Sequence, residues 1–143
     1  MNDNLYSEII MEHNKSNHNK REINDPTIIE RGHNPNCGDD LTLLIKYDGQ
    51  TIKEASFIGH GCAISQASMS IMIDLIVGKT VDYGKQISTI FIDMIRGREV
   101  TEDEKEMLAD AIAFEGISKM PARVKCGTLG WNCLKVSLEK IDG

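Results

Sequence analysis

An α+β fold is predicted from three observations on the amino-acid sequence. Two β-rich runs flank the Asp48-Gly49 pair; one amphipathic segment precedes them; and four helix-like segments follow. Together they imply a small antiparallel sheet of about three strands packed against several helices. With 143 residues, the chain fits one domain, 1–143, with room for a real hydrophobic core.

Each element has its own signal. In residues 4–16, Leu5, Ile9, Ile10 and His13 fall on one face of a helix. A polar connector, 17–26, ends at Pro26, and "TIIERG" (27–32) can form a short strand. In "LTLLIKY" (41–47) Leu41, Leu43, Ile45 and Tyr47 alternate, and "TIKEASFIG" (51–59) returns with Ala55 and Phe57 alternating against Glu54 and Ser56. An Asp-Gly between two such runs predicts a β-hairpin. Helices are expected over 63–78 and 82–97, closed by Gly78 and Gly97. Another is expected over 101–114, where Thr101 and Glu104 have the capping-box spacing and the acidic first turn suits the helix dipole. Gly116 and Pro121 break the pattern over 116–125, and a last helix is expected over 126–141.

Composition narrows the function classes. The chain is 41% apolar and 27% charged, as in ordinary globular proteins. With three Phe, three Tyr and one Trp, its core is expected to be filled by Ile, Leu, Met and Val. A net charge of −6 (16 basic against 22 acidic residues) argues against nucleic-acid binding. No apolar run approaches the roughly 20 residues that span a bilayer, so no membrane role is expected. "MNDNLYSEII" has no basic stretch, apolar run and cleavage site in succession, which predicts a cytoplasmic protein. Thiols stay reduced there, so the four cysteines read as metal ligands or reactive thiols rather than disulfides.

Three of those cysteines stand at chain junctions. Cys37 lies in "HNPNCGDDL", where Pro35 fixes φ and Gly38 permits unusual backbone angles. Cys62 in "GHGCAIS" marks the end of a strand and the start of a helix, and Cys126 in "RVKCGT" reads as another loop-to-helix junction. Unpaired N–H groups at helix starts stabilise thiolates, and Gly59 and Gly61 allow close backbone approach. Cys37, Asp39, Cys62 and Cys126 would supply three sulfurs and one oxygen, a set that suits tetrahedral zinc; three unrelated buried cysteines is the competing reading. Cys133 reads as a small buried apolar residue.

His13 and His18 read as ordinary boundary residues, His33 as a group supporting the site, and His60 as adjacent to a ligand without being one. Asp40 reads as solvated or as a hydrogen-bond acceptor. Arg123 and Lys125 bracket Cys126 closely enough to hold a thiolate ionised or to pair with Asp39; alternatively they are solvated charges.

The runs "NPNCGDDLTLLIKYDG", "ASFIGHGCAISQAS" and "PARVKC" resemble the U-type iron–sulfur scaffold superfamily (IscU and the NifU N-terminal domain), most closely its SufU branch. Lys125 stands where the IscU branch has a histidine, and residues at about 98–118 match the extra helical insertion of SufU-like proteins. The proline-rich chaperone-docking motif of the scaffolds is not evident in "KMPARVKC". The resemblance implies a zinc-dependent sulfurtransferase that accepts persulfide sulfur from a SufS-type cysteine desulfurase and serves downstream iron–sulfur assembly proteins. It implies Cys37, Asp39, Cys62 and Cys126 as zinc ligands and Cys37 as the sulfur acceptor. Docking is then expected to replace Cys37 at zinc by a partner side chain and so release the nucleophile. A scaffold that builds an iron–sulfur cluster on the same cysteines is the alternative, and a purely structural zinc module a third reading.

Overall fold

The structure, a computed structural model, describes residues 3–35 and 38–142. Helix α1 (Asp3–Ser16) is followed by strands β1 (Ile28–Asn34), β2 (Asp39–Tyr47) and β3 (Ile52–His60). Helices α2 (Ala63–Ile76), α3 (Val81–Ile95) and α4 (Glu102–Leu108), a 3-10 segment (Ala109–Lys119) and α5 (Pro121–Asp142) complete the chain. The α+β fold with a three-stranded sheet is the one expected. None of the described helices is long and apolar enough to cross a membrane.

The strands pair antiparallel in the order β1-β2-β3. At the β2–β3 turn, the Asp48 carboxylate accepts the Gln50 and Thr51 N–H groups at 2.9 Å each, which holds its carboxyl below the usual range, and Gly49 takes φ +99°. Residues of the connector 17–26 hydrogen-bond along the outer edge of β3, with Arg21 N–H donating to the Phe57 carbonyl and Phe57 N–H to that of Asn19. β1 is the opposite edge. Its register sets Asn34 opposite Asp39 and His33 opposite Asp40, which in turn faces His60 on β3. Successive side chains on a strand take opposite faces. Asp40 therefore joins the exposed His33 and His60 on the outer face, and Asp39 turns inward, where it is completely buried.

Leu41, Leu43 and Ile45 carry the inner face of β2 into a core formed with α2, α3 and α5. That core is mainly aliphatic, as composition suggests, yet aromatic side chains occupy part of its interior. Trp131 stacks on Phe91 with centroids 4.1 Å apart, and Phe114 meets Phe91 edge-on at 6.3 Å. The Trp131 indole N–H donates to Ser68 Oγ (3.0 Å), whose hydroxyl donates to the Gly127 carbonyl (2.7 Å). The crossing of α2 and α5 is close: a methyl group on Gly130 would lie 2.9 Å from Met69 Sδ and 3.3 Å from its Cα.

Two boundaries differ from expectation. The helix expected over 101–114 has its capping box, Thr101 with Glu104, but ends at Leu108. Leu108, Ala111, Phe114 and Ile117 are all fully buried at a spacing of three. A 3-10 helix, at three residues per turn, keeps such a stripe on one side. The last helix starts at Pro121, five residues earlier than expected. Proline fits the first helical position, where no N–H is needed, so Pro121 starts the helix instead of breaking it. Cys126 therefore lies inside α5 and not at a loop-to-helix junction.

Candidate metal centre

Three elements meet at one corner of the fold. Asp39 opens β2, Cys62 precedes α2, and Cys126 lies in the second turn of α5. One carboxylate oxygen of Asp39 and the two sulfurs all lie within 4.8 Å of one another. Asp39 and Cys126 are buried at 0% and 2% exposure, and Cys62 is half-buried.

Local backbone chemistry fixes each donor. Cys62 caps α2: its sulfur accepts the Ser65 N–H at 3.4 Å, the role an oxygen plays in most helix caps. Here the helix start presents its N–H groups to a thiol. Asp39 Oδ1 accepts the Cys62 backbone N–H at 2.7 Å and the Ser65 hydroxyl at 3.1 Å. Gly61 makes that approach possible, since a methyl group there would sit 2.6 Å from Ser65 Oγ and 2.9 Å from Asp39 Oδ1. At Gly59, φ is +111° and a methyl group would collide with the Asp40 carbonyl, so the end of β3 also requires glycine.

Asp39 Oδ2 is buried and has no hydrogen-bond partner among the described residues. Leaving such an atom unsatisfied costs about 1–3 kcal/mol or more. The cysteines beside it are weak donors at best. A cation among one carboxylate and two thiolates would satisfy this oxygen and compensate all three charges. The donor set suits a thiophilic divalent ion.

The other sequence-predicted residues divide clearly. Cys37, expected as both ligand and nucleophile, lies outside the described residues. Arg123 and Lys125 are exposed on α5, and among the described residues no ion pair links either to Asp39. Asp40 accepts both arms of the Arg31 guanidinium, at 2.8 and 2.7 Å, which holds its carboxyl below the usual range. His13 bonds Ser70 at 2.8 Å and His18 bonds Asp74 at 3.0 Å, both away from the three donors. Cys133 packs under β1, where a methyl group on Gly32 would lie 2.5 Å from its sulfur. Burial, reinforced by the charge of Glu30, pushes its thiol up to about 11.

Sequence reasoning missed Ser65 and Asn34. Ser65 was open to inference, because a residue three after a helix cap supplies the capped N–H. Asn34 carries no such signal; its buried amide becomes evident only in the folded chain.

Residues 5–127 match the family model of the NifU-like N terminal domain. The chain is 42% identical to the zinc-dependent sulfurtransferase SufU of Bacillus subtilis, over 99% of this chain and 94% of that protein. It is 38% identical to the iron–sulfur cluster assembly scaffold protein IscU of Thermotoga maritima, over 96% of this chain and 95% of the relative. The crystal structure of an iron–sulfur cluster assembly scaffold protein for the SUF system, from Fervidobacterium islandicum AW-1, superposes with a TM-score of 0.87 at 36% identity. That match covers 96% of this chain and 99% of the other. A buried Asp/Cys/Cys cluster at the corner of a U-type fold, and likeness over almost the whole chain, lead to one conclusion: the chain belongs to the NifU-like N-terminal domain family of iron–sulfur assembly proteins.

Proposed function

We propose that this protein is a zinc-dependent sulfurtransferase that accepts persulfide sulfur from a SufS-type cysteine desulfurase for iron–sulfur cluster biogenesis. The observation that carries the reading is the buried Asp39 carboxylate, gathered with the sulfurs of Cys62 and Cys126 and with one oxygen unsatisfied among the described residues. Tetrahedral zinc, with Zn–S of about 2.3 Å and Zn–O of about 2.0–2.2 Å, calls for donors roughly 3.3–3.8 Å apart. Donors already gathered within 4.8 Å need only a small closure to reach that spacing. Cys37, Asp39, Cys62 and Cys126 would hold the ion. Zinc supplies a redox-inert Lewis acid that keeps thiols ionised.

The chain's own residues divide the labour. Asp39, Cys62 and Cys126 are anchored by β2, α2 and α5, whereas Cys37 belongs to the β1–β2 connection. Cys37 is the acceptor. Its thiolate attacks the outer sulfur of the partner's cysteine persulfide; a new S–S bond forms at Cys37 as the old one breaks. The electron pair of the broken bond leaves on the partner cysteine as thiolate, and the outer sulfur keeps its proton. The sulfane sulfur thus changes carrier with no net oxidation.

Mass spectrometry after incubation with a SufS-type desulfurase and cysteine tests this assignment. Wild type gains one sulfur atom at Cys37, and Cys37→Ala gains none while keeping its fold. Persulfide on the Cys37→Ala protein would overturn the acceptor role. Likeness to the Thermotoga scaffold favours a second reading, a cluster built on the same cysteines. A brown protein that passes an intact cluster to an apo-acceptor would establish that reading, whereas a colourless, zinc-containing protein supports sulfur transfer.

A further inference from the structure

A groove of about 380 Å³ lies beside the metal centre, between the end of β1 and one face of α5. Lys125, Thr128 and Asn132 line it from the helix, and His33 and Asn34 from the strand. It shares its walls with the centre: Lys125 precedes Cys126, and Asn34 pairs with Asp39 across the sheet.

Two hydrogen-bond donors of the groove lack partners among the described residues. Asn34 is only 6% exposed, yet its Nδ2 has no hydrogen-bond partner among the described residues. Lys125 is exposed and has no ion-pair partner among the described residues. Thr128 spends its hydroxyl proton on the Val124 carbonyl at 2.8 Å. Among the described residues no carboxylate lines the groove, although the chain carries a net charge of −6. An ammonium and an amide N–H₂ on facing walls match a group with two acceptor oxygens and no proton. A turn about the soft Asn χ2 torsion would bring this buried amide to the groove surface.

We propose that this groove is a carboxylate-binding subsite that receives an acidic side chain of the protein docking over the metal centre. Charge complementarity selects the occupant. Elsewhere the acidic chain repels an acidic partner, so a groove that offers Lys125 and the Asn34 amide beside the centre fixes the docking register. Lys125 and Asn34 act as positioning residues; the sulfur chemistry stays with Cys37. The choice of a protein as occupant rests on the sulfur-transfer reading, whereas the carboxylate preference does not.

Two measurements on the full metal-loaded chain test the proposal. In the first, the side-chain amide of Asn34 is followed by ¹H–¹⁵N NMR during titration with N-acetylglutamate methylamide, with N-acetylglutamine methylamide as control. Saturable shifts with the glutamate probe alone are expected; no shift, or equal shifts with both, overturns the subsite. In the second, desulfurase stimulation is measured against protein concentration. Lys125→Gln is expected to raise the half-saturating concentration about tenfold at unchanged maximal rate and metal content, the loss of one charged hydrogen bond. Asn34→Asp is expected to act in the same direction. An unchanged half-saturating concentration, with the NMR shift present, overturns the partner assignment and makes the occupant a free small carboxylate. Absence of stimulation by wild type would instead overturn the sulfur-transfer reading, and the NMR result would stand by itself.

Discussion

Helices α2 and α5 serve two regions with opposite physical characters. Along their length they hold the core, where Trp131 stacks on Phe91 and its N–H is satisfied by Ser68. At one corner they hold Cys62 and Cys126 beside Asp39, whose buried Oδ2 has no partner among the described residues. The core satisfies its own polar groups; the corner requires an additional component. A fold that is complete without the metal can therefore carry a site that is incomplete without it.

The largest effect is expected in the core. Trp131→Ala removes the stacked ring and is expected to cost about 3–5 kcal/mol, read as a lower denaturant midpoint. Metal affinity should fall with it, because the packing of α5 places Cys126. Undiminished metal affinity in a destabilised Trp131→Ala protein would show that the two regions are independent. Metal removal is expected to lower stability only by the binding free energy, leaving the helices and sheet formed.

A smaller effect sharpens the comparison from the other side. Gly61→Ala pushes a methyl group against Ser65 and Asp39. Metal affinity is expected to drop about 10- to 100-fold, the range seen when a ligand's supporting contacts are lost. Chelator competition measures this, and the metal-free stability should change little. Equal affinity in Gly61→Ala and wild type would mean that Asp39 is not aimed by this contact.

The smallest effect concerns Cys133. Its thiol is pushed up to about 11 in the folded chain, so folding favours its protonated form. The contribution is fully present below the ordinary thiol range and is lost as pH rises towards that value. Wild type should therefore lose more stability than Cys133→Ala between pH 7 and pH 10, measured as urea midpoints. Parallel losses would contradict the burial assigned to this thiol.

Much of this arrangement was legible in the sequence because local physics dictates it. The Asp48-Gly49 turn, the alternation in β2 and the Thr101–Glu104 cap each depend on residues a few positions apart. Cys62, Asp39 and Cys126 could be nominated together, but only the α2–α5 crossing, close at Gly130, places Cys126 near β2. The boundaries that went astray had two readings. Pro121 can end one helix or begin another, and the Thr101–Glu104 cap fixes where a helix starts but not that the spacing of three from Leu108 to Ile117 turns it into a 3-10 helix. The groove at Asn34 was invisible, since it exists only where β1 and α5 meet.

Zinc-edge X-ray absorption on the purified protein tests the central claim most directly. Three sulfur scatterers and one oxygen are predicted for wild type, falling to two sulfurs in Cys37→Ala. A site with the same sulfur count in both proteins, or one that lacks an oxygen scatterer, would contradict a centre made of Cys37, Asp39, Cys62 and Cys126.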